Sequence, residues 1–194
     1  MRLCFATNNK HKIQEVAFAI KNKITILSLN DIGCFEELPE TRDTLEGNSL
    51  QKAEYVYNNF SIPCFADDTG LEVPVLNNAP GVYSARYAGE HKNSDDNINL
   101  LLKNLSGISD RRAQFRTIIT LIGLDKIYTF EGIVKGTITT ERKGTAGFGY
   151  DPVFIPEGHT KSFGEMSLEE KHQLSHRAIA VSKLTDFLVK RGIE

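Results

Sequence analysis

The sequence has few cysteines, and their spacing is typical neither of a metal site nor of the disulfides that crosslink a small secreted domain. Among its 194 residues there are no tryptophans, two methionines and three cysteines. Cys4, Cys34 and Cys64 form no Cys-x-x-Cys pair, and their even spacing of 30 residues matches no zinc-binding pattern. An odd number of cysteines also argues against a disulfide framework, so we expect structural thiols in a reducing compartment.

Long apolar runs and an excess of basic residues are missing as well. The apolar stretch LCFA, which follows Met1 and Arg2, is too short for a signal peptide, and no segment approaches the about 20 apolar residues of a transmembrane helix. The formal net charge of −2 argues against wholesale binding of nucleic acid. We therefore expect a cytoplasmic protein with neither a membrane nor a nucleic acid as its partner.

The segments that are present predict an α/β fold with a mixed β-sheet flanked by helices. Apolar residues at helical spacing and capping residues predict helices over 8–22, from Thr44, from Ser94, and from Ser167 to about Lys190. Strands are predicted over 2–7, 24–29, 62–67, 112–124, 126–138 and 152–155, with an edge element over 71–76. The two longest strands are joined by a short turn, which predicts an antiparallel hairpin.

The first candidate site is the loop between the first strand and the first helix, TNNKHK. In open α/β sheets ligands bind at the carboxyl ends of strands, where a helix N-terminus offers backbone amides to phosphate. Thr7, Asn8, Asn9, Lys10 and Lys12 suit a triphosphate in such a place. The alternative is an asparagine-rich helix cap with two solvated lysines. The loop lacks the glycines of a Walker motif.

The second candidate is the pair Asp67 and Asp68, which lies where the third predicted strand runs out. Adjacent residues on a strand point to opposite faces, so one carboxylate is expected to anchor the turn or a helix. Asp68 is the candidate for the substrate side, where it could bind Mg²⁺ or take a proton from water. The alternative is an Asx-type turn into Thr69 and Gly70.

The third candidate is the glycine-rich segment GFGYDPVF, over 147–154. Its glycines let the backbone approach a flat ligand, while Phe148 or Tyr150 could stack on a purine ring. The alternative is a turn that precedes a core strand.

The fourth candidate is EEKHQLSHRA, over 169–178, on the predicted last helix. Lys171, His176 and Arg177 lie off the apolar stripe of this helix. They could form an ordinary exposed charged face, or they could donate hydrogen bonds to the edge of a base. His172 and His176 are four residues apart, but zinc is disfavoured because no third ligand is evident.

Five motifs of the chain, taken together, resemble the inosine triphosphate pyrophosphatase family, the HAM1-like pyrophosphatases of non-canonical purine NTPs. FATNNKHK, NSLQKA, FADDTGLEV with APGVYSARYAG, GFGYDPVF and EMSLEEKHQLSHRA stand in the family's order and spacing almost from end to end. The resemblance implies one domain over 1–194 with an elongated mixed sheet and two lobes around a central cleft, in a homodimer. It also implies Mg²⁺-dependent hydrolysis of ITP, dITP, XTP and dXTP to the monophosphate and diphosphate.

The resemblance also implies a role for each site residue. Asp68 is the catalytic carboxylate and a metal ligand, and Glu40 is the second metal ligand. Thr69 replaces a serine of many relatives but keeps the hydroxyl. The remaining implied contacts are to substrate: Thr7, Asn8, Asn9, Lys10, His11, Lys12 and Lys52 to the phosphates, Phe148, Gly149, Tyr150 and Asp151 to the base and sugar, and Lys171, His176 and Arg177 to the base.

The chain departs from the family pattern at one position, because Gly47 stands where many relatives have an acid. If that acid helps to hold metal, Glu46 or a water molecule takes its place here. For Arg86 and Tyr87 three roles are alternatives: contact with phosphate, packing of the loop, or part of a dimer surface.

Two other functions compete with this one. A Maf-like pyrophosphatase for other modified nucleotides has a similar fold, but the SHR helix and the FGYD loop favour the purine family. A nucleotide-binding regulator without turnover would not need the full set of Asp68, Glu40 and Lys52.

Overall fold

The computed structural model describes residues 2–20 and 24–192, and within them the chain forms an α/β fold. The strands are β1 (Arg2–Phe5), β2 (Thr25–Leu27), β3 (Cys64–Glu72), β4 (Pro80–Gly81), β5 (Arg112–Ile122), β6 (Tyr128–Ile138) and β7 (Phe154–Pro156). The α-helices are α1 (Lys10–Ile20), α2 (Leu45–Phe60), α3 (Ser94–Asn104), α4 (Leu168–His172) and α5 (His176–Lys190). The last two residues of the first predicted helix, 21 and 22, lie outside the described residues.

The strands form a mixed sheet, which confirms the predicted fold class. Their order is β2-β1-β3-β5-β6-β7, and β4 pairs with β3 off this path. β1 runs parallel to β2 and β3, whereas the pairs β3–β4 and β6–β7 are antiparallel. A short connection, 123–127, joins the neighbouring strands β5 and β6, so they form the predicted hairpin.

Contacts along the chain divide it into two compact units. The first unit comprises the described parts of Met1–Asp68, Thr117–Gly132 and Arg177–Glu194, and the second comprises Thr69–Arg116 and Ile133–His176.

The first unit has apolar clusters on both faces of β3. On one face Phe65 stacks on Phe5 with ring centroids 4.6 Å apart, among apolar side chains of α1 and α5. On the other face Cys64 and Ala66 pack with Ala53 and Val56 of α2. Successive residues of a strand alternate between faces, so this arrangement determines which helix each later residue of β3 meets.

The second unit has one apolar cluster, in which Phe115 of β5 packs against Phe154 and Phe163. The predicted apolar stripe of α3 contributes the helical side of this cluster, with Ile98 and Leu101 among its buried side chains.

Helix α3 begins at Ser94, one residue earlier than a cap at Ser94 implies. Asn93, rather than the predicted Ser94, caps α3, since its side chain accepts bonds from the amides of Asp95 and Asp96.

Three features differ from the sequence-based prediction by more than two residues. The strand predicted to stop at Asp67 continues to Glu72, because Leu71 and Glu72 pair with β4 and the Ser84 hydroxyl accepts the Leu71 N–H at 2.8 Å. The alternative of an Asx-type turn into Thr69 and Gly70 is therefore wrong. Residues 74–76 form a 3-10 turn instead of an edge strand, and the predicted last helix is broken between α4 and α5.

In the ranges 2–20 and 24–192, no helix is long and apolar enough to cross a membrane.

Candidate active site

The alternation of β3 separates the two adjacent aspartates. Asp67 follows Phe65 on the face that meets α1 and α5, and Asp68 follows Ala66 on the face that meets α2. Asp67 is 0% exposed and Asp68 is 8% exposed. The two carboxylates consequently have different hydrogen-bond partners and different electrostatic environments.

Asp67 lies in a buried ion cluster with Lys12 and Glu15 of α1 and Arg177 of α5. Its Oδ1 accepts from the Lys12 ammonium at 3.0 Å, and its Oδ2 accepts from Nε of Arg177 at 3.1 Å. Nη1 of Arg177 donates to the Glu15 carboxylate. These four residues are called the ion cluster below. The prediction that one aspartate anchors a neighbouring helix is confirmed, since Asp67 joins two helices to the sheet.

The charges of the ion cluster determine how Asp67 titrates. Burial alone would raise the pKa of Asp67, but the Lys12 ammonium and the Arg177 guanidinium outweigh it and hold that pKa well below its usual range. Burial lowers the pKa of Lys12, while the carboxylates of Asp67 and Glu15 raise that of Arg177 against the effect of burial. Asp67 is thus ionised at neutral pH and balanced by its partners.

Asp68 lies in a second group, the carboxylate cluster, with Glu40, Asn48 and Lys52. Lys52 lies in α2, and its ammonium donates to Oε1 of Glu40 at 2.5 Å and is 3.8 Å from Oδ1 of Asp68. Nδ2 of Asn48 donates to the other Asp68 oxygen at 3.2 Å. Both predicted metal-binding carboxylates therefore flank a single ammonium group.

The pKa of Asp68 shifts in the opposite direction to that of Asp67. Burial raises it and the negative Glu40 adds to this, while Lys52, Lys12 and the Asn48 bond lower it without offsetting burial. The pKa of Lys52 is also raised, because Asp68 and Glu40 overcome the effect of its own burial. A buried carboxyl with a raised pKa is a stronger base than an exposed aspartate.

Helix α2 positions the polar side chains of Asn48 and Lys52, and both of its ends are capped. Thr44 caps its N-terminus by accepting the Gly47 N–H, and Ser61 ends it in a left-handed conformation with φ 53°. Asn48 and Lys52 are one turn apart and so lie on the same side of the helix. Between them, Ser49 donates to the backbone carbonyl of Ala66 at 2.9 Å, which fastens the helix to β3.

In the loop TNNKHK the alternative of an asparagine-rich helix cap is found, and Asn9 is the capping residue. Its Oδ1 accepts the backbone N–H groups of His11 and Lys12 at 3.0 and 3.2 Å, so these two amides are bonded to the cap. Asn8, Lys10 and His11 are exposed, and Thr7 is buried. The expectation of two solvated lysines holds for Lys10 and is wrong for Lys12, which lies in the ion cluster. Phosphate binding by this loop stays a prediction.

The third motif forms a tight turn in the second unit. Oδ2 of Asp151 accepts the Phe148 N–H at 2.8 Å and the Lys171 ammonium at 2.6 Å. Gly147 has φ 75°, and a Cβ there would lie 2.1 Å from the same Asp151 oxygen, so only glycine fits. Lys171 lies over the ring of half-buried Phe148, 4.9 Å from its centroid. The predicted residues Phe148, Gly149, Asp151 and Lys171 are thus brought together.

Other predicted base-site residues are buried, and the alternative of an exposed charged helix face is wrong. The Tyr150 ring is in the apolar cluster of the second unit and its hydroxyl donates to the Ser84 carbonyl at 3.0 Å. His176 stacks on Phe115 with centroids 4.6 Å apart. Arg177 is 1% exposed and belongs to the ion cluster of the first unit. Thr69 follows Asp68 on β3 and is half-buried.

Helix α4 contains His172, and α5 begins at His176, so the predicted spacing of four on one helix is wrong. The chain between them, 173–175, is not part of either helix.

Sequence reasoning missed Glu15 and Asn48. A signal existed for both: Glu15 is three residues after Lys12 on α1, and Asn48 is four residues before Lys52 on α2. Helical spacing places each beside a residue that was already a candidate. Neither stood out because asparagine and glutamate on a helix are ordinarily solvated.

The two residues left open, Arg86 and Tyr87, both make packing contacts inside the second unit. The guanidinium of Arg86 lies 5.2 Å from the Tyr83 ring centroid, and the Tyr87 hydroxyl accepts from Asn104 at 2.8 Å.

The three cysteines are structural, as predicted. All are buried in the apolar cluster around Val56, and burial raises the pKa of Cys4 and of Cys64 to about 12. Thiols with such pKa values are poor nucleophiles at neutral pH.

Comparison with protein families and relatives gives one consistent result. The model of the Ham1 family matches residues 3–187. A dITP/XTP pyrophosphatase of Porphyromonas gingivalis is 56% identical over 189 residues, 97% of each chain. The dITP/XTP pyrophosphatase of Flavobacterium johnsoniae is 56% identical over 188 residues, which cover 97% of this chain and 98% of the relative.

Solved structures agree with this. The Ham1 protein of Staphylococcus aureus has a TM-score of 0.89 at 37% identity, covering 98% of this chain and all of that one. A HAM1 protein of Coxiella burnetii has a TM-score of 0.90 at 31% identity, covering 98% and 99% of the two chains.

Proposed function

The chain belongs to the Ham1 family, and we propose that it hydrolyses non-canonical purine nucleoside triphosphates to the monophosphate and diphosphate. The substrates are ITP, dITP, XTP and dXTP, and their removal cleanses the nucleotide pool. The proposal has two supports: relatives with more than half of their residues in common are named dITP/XTP pyrophosphatases, and the chain has the carboxylate cluster such a reaction needs. The observation that carries it is the convergence of Asp68 and Glu40 on Lys52.

The donor set of the carboxylate cluster fits Mg²⁺. Mg²⁺ prefers oxygen ligands and is commonly held by one or two carboxylates together with substrate phosphates. The two carboxylates and one ammonium of this cluster leave a residual negative charge. A cage of three or more His, Cys, Asp or Glu side chains is not found within 2–20 and 24–192. We propose that Asp68 and Glu40 hold Mg²⁺, which supplies neutralisation of phosphate charge when it is bound.

The lysines would act on the phosphate end of the substrate. Cleavage between the α and β phosphates releases diphosphate, which departs well only when its negative charge is stabilised. Lys52 and Lys12 are held in place by carboxylates, and Lys10 is exposed at the start of α1. Preorganised ammonium groups of this kind stabilise charge without reorganising during the reaction.

Asp68 would orient and deprotonate the attacking water. Its raised pKa makes it a better proton acceptor than an ordinary aspartate, and Asn48 fixes one of its oxygens. No covalent intermediate is required.

Selection of the base follows from hydrogen-bond chemistry. Hypoxanthine and xanthine carry a 6-oxo acceptor where adenine has an amino donor, and the predicted donors to it are Arg177 and a backbone amide. ATP would leave these donors unpaired in a buried site, and such a mismatch can lower kcat/KM for the wrong substrate by about 10⁴-fold. Guanine shares the 6-oxo group, so its rejection must act at the 2-amino group. Phe148 is proposed to stack on the purine ring.

Diphosphate release measured with ITP, XTP, dITP, ATP, GTP and modified pyrimidine triphosphates, with and without Mg²⁺, tests the proposal. We expect rapid release from the first three only, and none without the metal. Turnover restricted to modified pyrimidine nucleotides would favour the Maf-like alternative. Tight binding of ITP without release of diphosphate by the wild-type protein would indicate a nucleotide-binding regulator.

We also propose a cytoplasmic homodimer. Light scattering coupled to gel filtration is expected to give twice the chain mass of 21.7 kDa, and a value of one chain mass would contradict it.

A further inference from the structure

We propose that Asn48 is a positioning residue that fixes Glu40 and Asp68 relative to each other, so that the pair can act as one site. The inference rests on the proposed function, because it concerns how the two carboxylates of that site are held. Asn48 was assigned no role by its sequence context.

Asn48 bonds in two directions from a buried position. Its Nδ2 donates to Oδ2 of Asp68 at 3.2 Å, and its Oδ1 accepts the backbone N–H of Arg42 at 2.9 Å. The side chain is 1% exposed, so water competes little for either bond. One amide group thereby connects β3 with the segment that carries Glu40.

The orientation of this amide is determined by its partners. A backbone N–H can only donate and an ionised carboxylate can only accept. Oδ1 must therefore face Arg42 and Nδ2 must face Asp68, and aspartate at this position could satisfy the first partner but not the second.

Glu40 needs such support because no regular element holds it. Residues 39–42 belong to neither a helix nor a strand, whereas Asp68 lies within the nine-residue strand β3. Gln51 of α2 supplies a second attachment: its Oε1 accepts the Thr41 N–H at 2.9 Å, and its Nε2 donates to the Thr41 hydroxyl at 2.8 Å. Two successive backbone amides after Glu40 are thus bound by side chains of one helix.

Gly47 allows the segment to approach this closely. A Cβ at Gly47 would lie 2.7 Å from Cβ of Arg42 and 2.9 Å from the Thr44 hydroxyl. A larger residue there would push Arg42 away from Asn48. The glycine that departs from the family pattern is therefore part of the same arrangement.

Two variants separate the two directions of the Asn48 amide, and a third tests the attachment of Thr41. Asn48→Asp keeps an acceptor for Arg42 and places a carboxylate against Asp68. Asn48→Ser removes both bonds, and Gln51→Ala removes only the attachment of Thr41. Asn58→Ser is the matched control, since Asn58 is an exposed asparagine of the same helix.

We expect kcat for ITP to fall about 10- to 100-fold in both Asn48 variants, the range observed when partners of metal ligands are removed. The Mg²⁺ concentration for half-maximal activity should rise, while KM for ITP changes little because the lysines are untouched. Gln51→Ala should change kcat and the Mg²⁺ concentration for half-maximal activity in the same direction, but only a few-fold. Asn58→Ser should change neither.

Amide hydrogen exchange of the ligand-free protein gives a readout independent of turnover. Exchange of the Arg42 amide should accelerate in Asn48→Ser and stay slow in Asn48→Asp, and the Thr41 amide should exchange faster in Gln51→Ala. If Asn48→Ser does not fold, Gln51→Ala and Asn48→Asp still test the inference.

An unchanged Mg²⁺ dependence in the Asn48 variants, with only a loss of thermal stability, would overturn the positioning role. So would an Arg42 amide that exchanges equally fast in the wild type and in Asn48→Ser. Failure of the wild type itself to release diphosphate from any triphosphate would instead contradict the proposed function, and the exchange measurements would still decide how the segment is held.

Discussion

Asp67 and Asp68 are the same residue type, one peptide bond apart on one strand, yet the fold gives them opposite environments. Asp67 belongs to the ion cluster, where the carboxylates of Asp67 and Glu15 meet the cations Lys12 and Arg177, so that the formal charges cancel. Asp68 belongs to the carboxylate cluster, where Asp68 and Glu40 share only Lys52. The first cluster is balanced in formal charge, and the second keeps one excess negative charge.

This difference gives the two aspartates different roles. In a balanced buried ion cluster, removing one member leaves a buried charge uncompensated. A cluster with excess negative charge is suited to a cation, and it resists full ionisation until one arrives. The opposite pKa shifts of the two aspartates express the same contrast.

The strongest test of this contrast is Asp68→Asn. Because it removes the proposed base and metal ligand, we expect kcat for ITP to fall by about 10³-fold or more. The free energy of unfolding should hardly change, since a carboxyl with a raised pKa contributes little to stability when ionised. Diphosphate release and urea unfolding measure the two effects. Turnover retained in this variant would remove Asp68 from its proposed role.

The complementary change is Asp67→Asn. It leaves Arg177 and Lys12 with a single carboxylate, Glu15, between them, so the free energy of unfolding should fall by about 3–5 kcal/mol. Urea unfolding measures this, with exposed Asp43→Asn as the control. A loss below about 1 kcal/mol, the range of an exposed ion pair, would show that the ion cluster is not structural.

Glu40→Gln sharpens the comparison inside the carboxylate cluster. The amide keeps the size of the side chain but lowers its attraction for a cation, so the Mg²⁺ concentration for half-maximal activity should rise about 10- to 100-fold. The matched change in the ion cluster is Glu15→Gln, for which we expect no shift in Mg²⁺ dependence. Equal shifts in both variants would contradict the division between the clusters.

The smallest expected effect is in the pH dependence of stability. The pKa of Asp67 is depressed in the folded state. Its contribution to the free energy of unfolding is therefore complete above the pKa of aspartate in the unfolded chain, about 4, and is lost as the pH falls further. The pKa of Asp68 is raised, so the folded state binds that proton more readily and the Asp68 contribution improves as the pH falls.

Unfolding curves between about pH 3 and 6 for wild type and both asparagine variants check the two signs, since this window spans the ordinary aspartate pKa. As the pH falls, the difference in free energy of unfolding between wild type and Asp67→Asn should shrink. The free energy of unfolding of wild type should instead rise relative to that of Asp68→Asn. Slopes of the same sign would contradict the comparison.

Local sequence patterns predicted much of the fold and part of the site. The helix from Thr44, the apolar spacing of α3 and the β5–β6 hairpin depend on residues close in sequence, and all three were found. The end of β3 was predicted wrongly because Thr69 and Gly70 favour a turn locally, while pairing with β4 keeps the chain extended. The break between α4 and α5 was missed because the apolar stripe runs through it.

The amino-acid sequence by itself determined that two adjacent carboxylates on a strand must point to opposite faces, because that alternation is a property of every extended backbone. Only the tertiary structure decided what each carboxylate meets. Arg177 reaches Asp67 from 110 residues away, and Asn48 and Lys52 reach Asp68 from another helix. Pairings over such distances depend on how helices pack on the sheet, which no local pattern specifies.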